Sequence, residues 1–171
     1  MGRASTKRPF RHTFPTDAGC VRAYRAWHGY TMTAASWPDA THTATTHLVL
    51  IVEDHERMRL ALRDFVTLEL PQCAVLTAAD AAQALAICEL RQPDVVLMDI
   101  QLGEASGIDL TGRVRRIAVR ASVIIVTNLA ERIYAERAEK AGAFAYVLKD
   151  RLQSDLVPFI IQALQRRESC V

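Results

Sequence analysis

The chain has 171 residues, room for one ordinary domain of about 100–150 residues and a short extension but not for two full domains. Hydrophobic residues at 50% and charged residues at 23% are close to the globular average, which excludes wholesale disorder, and no apolar run approaches the roughly 18 residues of a membrane span. The net charge of +2 hides a division: residues 1–46 hold six Lys and Arg against Asp17 and Asp39, whereas the rest is slightly acidic and offers no broad field to a nucleic-acid backbone.

Residues 1–46 are rich in Thr, Ala and Arg, hold both Trp27 and Trp37, and show no sustained apolar period. They read as a basic, largely disordered extension. Their acid-poor composition also suits a transit peptide or an arm touching nucleic acid or anionic lipid, and Met32 offers a later start. Cys20, Cys73, Cys88 and Cys170 lie far apart without CxxC spacing, which reads as reduced thiols in a cytoplasmic protein.

From Leu48 onward, short apolar runs alternate with helical patterns. Leu48 to Val52 is the first run, and Met58, Leu62, Phe65 and Val66 then mark one helical face that Pro71 closes. A weaker strand, Ala74 to Leu76, leads to Asp80 as an N-cap and to Ala81, Leu85 and Cys88 on a second helix. Val95 to Met98 ends at Asp99. A loop with Gly103 and Gly107 follows, then a helix bearing Ile108, Leu110, Val114 and Ile117. Val123 to Val126 ends at Thr127, and a polar helix from Glu131 to Ala141 stops at Gly142. Phe144 to Leu148 ends at Lys149, and Ser154 is placed to cap a last helix carrying Leu156, Ile160, Ala163 and Leu164, with Pro158 near its first turn. Unbroken apolar strands alternating with helices predict a parallel sheet covered on both faces and connected by right-handed crossovers.

In such sheets ligands bind beyond the carboxyl ends of the strands. There the sequence puts Glu53 and Asp54, Asp99, Thr127 and Lys149. In a 2-1-3-4-5 strand order the three acids crowd together and repel unless a cation intervenes, and a hard oxygen-liganded ion, Mg²⁺, fits that need. A carboxylate beside such an ion can attack phosphorus and form an acyl phosphate, and Asp99 is the candidate. Lys149 would then neutralise the phosphoryl oxygens and Thr127 would bond one of them.

The segments LVLIVEDHERMR at 48–59, DVVLMDIQLGEASGIDL at 94–110, VIIVTN at 123–128 and AFAYVLKD at 143–150 together resemble the receiver domain of two-component response regulators, the CheY-like family. The resemblance covers residues 48–168. It implies a flavodoxin-like (βα)5 fold, Asp99 as phosphoacceptor, and Mg²⁺ bound by Asp54, Asp99 and the Gln101 backbone carbonyl, with Glu53 reaching it through water. It also implies Lys149 as the phosphate-binding lysine, and Thr127 and Tyr146 as switch residues that reshape the face of helix four, strand five and helix five. The donor would be a histidine kinase or a histidine phosphotransfer protein. The output would be an unidentified downstream protein, with homodimerisation left open and no membrane or nucleic-acid partner expected. On this reading the chain is a stand-alone signalling receiver and not an enzyme, though it would catalyse its own phosphotransfer and slow dephosphorylation.

Departures from the family pattern are Asn128, where a small residue is usual and access to the phosphoryl group is narrowed, and Asp150, where the usual proline is absent. Gln101 and Leu129 stand where, by resemblance, water attack is tuned. His55 reads as a surface histidine, since Mg²⁺ favours oxygen, and Arg113, Arg115 and Arg116 read as a solvated helix face. Two alternatives remain open: a phosphorylation-independent receiver-like adaptor, and a DNA-contacting regulator acting through the basic arm. An aspartyl-phosphate hydrolase is disfavoured because Gln101 stands where its second acid belongs.

Overall fold

Alternation inside the apolar runs decides the architecture, because successive side chains of a strand point to opposite faces of its sheet. The computed structural model describes residues 47–168. Expectations for residues 1–46, including the boundary of the extension, and for Cys170 lie outside the described residues.

Five strands, β1 (His47–Val52), β2 (Cys73–Ala78), β3 (Val95–Met98), β4 (Ser122–Thr127) and β5 (Ala145–Leu148), form one parallel sheet in the order β2-β1-β3-β4-β5. The helices are α1 (Glu56–Glu69), α2 (Ala81–Arg91), α3 (Gly107–Ile117), α4 (Arg132–Ala141) and α5 (Val157–Glu168). The flavodoxin-like order expected from the sequence is the order found. Val49, Ile51, Leu97, Ile124 and Val126 face Leu62 and Val66 of α1 and Ile160 and Leu164 of α5. Their neighbours Leu50, Val52, Val96, Met98 and Ile125 face Leu85 and Cys88 of α2, Leu110 and Val114 of α3 and Ala138 of α4. A sheet buried on both faces cannot tolerate polar residues within its central strands, which is why the polar groups collect at the strand ends.

The local signals act largely as read. Asp80 accepts a hydrogen bond from the Gln83 N–H at 2.8 Å and caps α2, and Gly142 at φ 92° ends α4 in the left-handed region. β2 runs longer than the apolar triplet suggested, because pairing with β1 from His47↔Cys73 to Val52↔Ala78 recruits Cys73, Thr77 and Ala78.

The start of the last helix needs a correction. The chain turns helical at Lys149–Arg151 as a 3₁₀ turn, continues through a wide π turn at Leu152–Leu156, and becomes α5 at Val157. Ser154 therefore lies inside helical chain and caps nothing. Its hydroxyl sits 3.1 Å from the Arg151 carbonyl and 2.6 Å from the Asp155 carboxylate. Pro158, the second residue of α5, would clash with the Ser154 carbonyl in a regular α-helix, and the widened turn before it accommodates the ring.

Candidate functional site

Strand register brings the polar strand ends together. Val52 pairs with Met98, and the ladder continues one step as the Asp99 N–H donates to the Val52 carbonyl at 3.0 Å and the Glu53 N–H to Ala78 at 3.1 Å. Thr127 pairs with Leu148, which sets Lys149 one residue further along the same edge. Glu53, Asp99 and Thr127 are buried, at 2%, 5% and 0% exposure, whereas Asp54 is exposed at the rim.

Lys149 stands between the two buried acids. Its Nζ donates to Asp99 Oδ2 at 2.8 Å and lies 2.7 Å from Glu53 Oε2. Burial pushes the Glu53 carboxyl above its usual range, against the pull of Lys149. The same burial opposes the Lys149 charge, but the two carboxylates outweigh it and hold the ammonium above its ordinary value. The Glu53–Lys149 pair is a contact the sequence reading did not assign.

A divalent cation fits what this lysine leaves over. One oxygen from each of Glu53, Asp54 and Asp99 can be chosen so that all three lie within 4.8 Å of one another. Lys149 pairs with two of the three carboxylates, and Asp99 Oδ1 is buried without a hydrogen-bond partner. An unpartnered buried carboxylate oxygen is costly, and a hard cation is the ligand its chemistry favours. Asp54 Oδ2 accepts from the Gly103 N–H at 3.0 Å, which aims that carboxylate across the cleft. Gln101, two residues beyond Asp99, lies exposed on a short hairpin pairing Gln101–Leu102 with Ala105–Ser106.

Thr127 Oγ1 accepts from the Leu129 N–H at 3.3 Å, and the Tyr146 hydroxyl donates to the Leu129 carbonyl at 2.7 Å. One loop residue thus joins both expected switch residues. Tyr146 is half-buried on the α4 side of the sheet, and burial pushes its phenol up to about 12, with nearby Glu131 adding to the shift. Tyr146→Phe is expected to lose about 0.5–1.5 kcal/mol of stability, the net worth of one such bond, read by urea denaturation. No loss would mean the bond is not made in solution.

Asn128 is exposed, and among the described residues its side chain makes no hydrogen bond. His55 is a surface residue, as read, and it also caps α1, its Nδ1 accepting from the Met58 N–H at 3.3 Å. Arg113, Arg115 and Arg116 are exposed as expected, with Arg115 also donating to the Gly142 carbonyl at 2.5 Å. Cys73 and Cys88 are buried free thiols, and burial raises both, Cys88 to about 11. No helix of the described residues is long and apolar enough to cross a membrane.

Two residues at this edge were given no role in the site from the sequence, where Gly107 was read only as a loop glycine. Arg59 binds the backbone of the acidic loop, and Gly107 packs against the Asp99 carbonyl. A basic residue one turn into the helix after paired acids, and a glycine opening the helix after the acceptor strand, are the signals that point to them.

Comparison with known proteins agrees with the fold. The family model described as a response regulator receiver domain matches residues 49–160. The transcriptional regulatory protein PdtaR of Mycobacterium tuberculosis is 35% identical over 125 residues, covering 72% of this chain and 59% of PdtaR. The nitrate/nitrite response regulator protein NarP of Escherichia coli is 35% identical over 109 residues, covering 63% of this chain and 50% of NarP. Among solved structures, a CheY-like receiver domain protein from Methanospirillum hungatei JF-1 superposes with a TM-score of 0.69 at 26% identity, covering 74% of this chain and all of that one. A LuxR-family two-component response regulator from Aurantimonas gives 0.67 at 32% identity, with 72% and 88% covered. The chain thus spans about half to three-fifths of the length of the curated relatives it matches.

Proposed function

The chain belongs to the response regulator receiver domain family, and from that premise we propose that Asp99 accepts a phosphoryl group from a phosphohistidine of a histidine kinase or histidine phosphotransfer protein. Members of this family are signalling proteins and not classical enzymes. Asp54, Asp99 and the Gln101 carbonyl would hold Mg²⁺, with Glu53 contributing through water as well as through its pair with Lys149. When bound, the ion offsets the charge of the carboxylates and of the phosphoryl oxygens.

The chain's own residues do the rest. An Asp99 oxygen forms the new O–P bond as the donor's N–P bond breaks, and the bonding pair returns to the imidazole, which takes up a proton from water. The Lys149 ammonium stands where it can follow negative charge from the Asp99 carboxylate onto the incoming phosphoryl oxygens. The Thr127 hydroxyl is free to donate, since in its bond with Leu129 it acts as acceptor. Movement of Thr127 toward the phosphoryl group would disturb the Leu129 loop that also holds Tyr146, altering the face of α4, β5 and α5 that a downstream protein reads.

The observation that carries this reading is the buried, unpartnered Asp99 Oδ1 inside a three-carboxylate cluster beside Lys149. The test is incubation with phosphoramidate, with Mg²⁺ or with excess chelator, followed by intact mass. One acid-labile phosphoryl group is expected on the wild type with Mg²⁺, little with chelator, and none on Asp99→Ala. Equal labelling of Asp99→Ala would reject the assignment.

A second reading, a phosphorylation-independent adaptor, has one observation of its own: Tyr146 already bonds the Leu129 carbonyl in the unmodified chain. Equal partner binding by wild type and Asp99→Ala would select it. The DNA-contacting alternative rests on residues 1–46, outside the described residues.

A further inference from the structure

The proposed function names the acids but not what orients them. Glu53 and Asp54 lie in the short link between β1 and α1, and their successive carbonyls both meet one guanidinium. Arg59 Nη1 lies 2.8 Å from the Glu53 carbonyl and 3.1 Å from the Asp54 carbonyl, as the donor to both. In a regular strand successive carbonyls point in opposite directions, so a shared donor requires the chain to have turned out of β1 at this peptide. That turn sends the Glu53 side chain inward to Lys149 while Asp54 reaches across to the Gly103 N–H.

Arg59 is itself well anchored. It is half-buried in the first turns of α1, and its backbone N–H donates to the His55 carbonyl at 3.0 Å. The link is therefore closed on both sides, by the His55 cap and by the Arg59 side chain. The guanidinium also brings positive charge to the backbone of the acidic loop, where three carboxylates converge before any cation arrives.

We propose that Arg59 is the positioning residue of the acidic loop, holding the Glu53 and Asp54 backbone so that their carboxylates converge with Asp99, and that it thereby sets the Mg²⁺ affinity of the site. The inference rests on the reading of that cluster as a Mg²⁺ site. Removing a group that orients metal ligands typically weakens binding by about 10- to 100-fold, and the lower end suits a residue that holds backbone and not the ligand atoms themselves.

The test is calorimetric titration of Mg²⁺ into the full chain, with melting temperature in chelator measured alongside. Arg59→Met should bind Mg²⁺ about tenfold more weakly while keeping a cooperative melt without the ion. Arg59→Lys, which keeps the charge and a donor, should lie nearer the wild type than Arg59→Met does. Where Arg59→Met does not fold, Arg59→Gln replaces it with the same expectation. Affinity within about threefold of wild type for the Met or Gln variant would overturn the role of Arg59 and leave the receiver reading intact. Failure of the wild type itself to take up Mg²⁺ would overturn both.

Discussion

Lys149→Met is expected to cost the fold about 3–5 kcal/mol near neutral pH and to abolish Mg²⁺-dependent labelling of Asp99, because it leaves buried carboxylates without their cation. Lys149 is the ammonium that lies 2.7 Å from Glu53 and 2.8 Å from Asp99, and its side chain is only 7% exposed. The pH dependence follows from the direction of the shifts. Glu53 is raised by burial, so its contribution to stability is full below the ordinary carboxyl value of 4.5 and is lost as pH rises through its higher folded-state value. Lys149 is held above 10.5, so its contribution persists through neutrality and disappears only as pH rises through that higher value. Without Lys149 the Glu53 carboxyl loses the partner that pulls it down and resists ionisation further. The penalty of Lys149→Met should therefore be small in acid, grow toward neutrality, and shrink again when Mg²⁺ is added. Urea denaturation over a pH series, with and without the ion, measures this. A loss of equal size in acid and at neutral pH would show that packing of the lysine stem, and not its charge, is what matters.

Much of this site was legible because strand ends are where polarity changes abruptly. Val95 to Met98 cannot sit in a doubly covered sheet and continue into Asp99 without placing that aspartate at an edge, and the same holds for Thr127 after Val126 and Lys149 after Leu148. Knowing the strand order was then enough to put Glu53, Asp54, Asp99 and Lys149 together. Less legible was anything depending on side-chain reach. That Glu53 would turn inward to Lys149, or that Arg59 would bend back to two carbonyls, is fixed by the path of the link after β1, and residue types do not reveal that path. The Ser154 cap failed for a related reason. A hydroxyl before an apolar helical stripe is a sound capping signal, but the chain had already turned helical at Lys149, so no free N–H remained for it. Gly107 escaped because glycines in a loop suggest turns, whereas this one is required by a neighbour.

Gly107→Ala is expected to destabilise the receiver by about 3 kcal/mol, the upper end for overpacking, and to impair Asp99 labelling along with it. A Cβ at Gly107 would fall onto the Asp99 carbonyl oxygen, and would also lie 2.8 Å from the Asp99 carbonyl carbon and 3.0 Å from Ile100 Cα. All three are backbone atoms, so no side-chain rotation relieves the overlap. Neither partner is free to retreat, because the Asp99 N–H is tied to Val52 in β1 and the Gly107 N–H donates to the Ile100 carbonyl at 2.8 Å. The start of α3 must then back away from the end of β3, and the acceptor carboxylate moves with its own carbonyl. Gly103→Ala separates this contact from the general cost of replacing a loop glycine. Gly103 has φ 59°, but an added Cβ there meets nothing within 4 Å, so about 1–2 kcal/mol of left-handed strain is expected, and because alanine keeps the N–H from which Asp54 accepts, labelling should fall less than in Gly107→Ala. Urea denaturation and phosphoramidate labelling of both variants decide the matter. Should Gly107→Ala prove as stable and as readily labelled as Gly103→Ala, the close approach of α3 to the Asp99 carbonyl would not be what holds the acceptor in place.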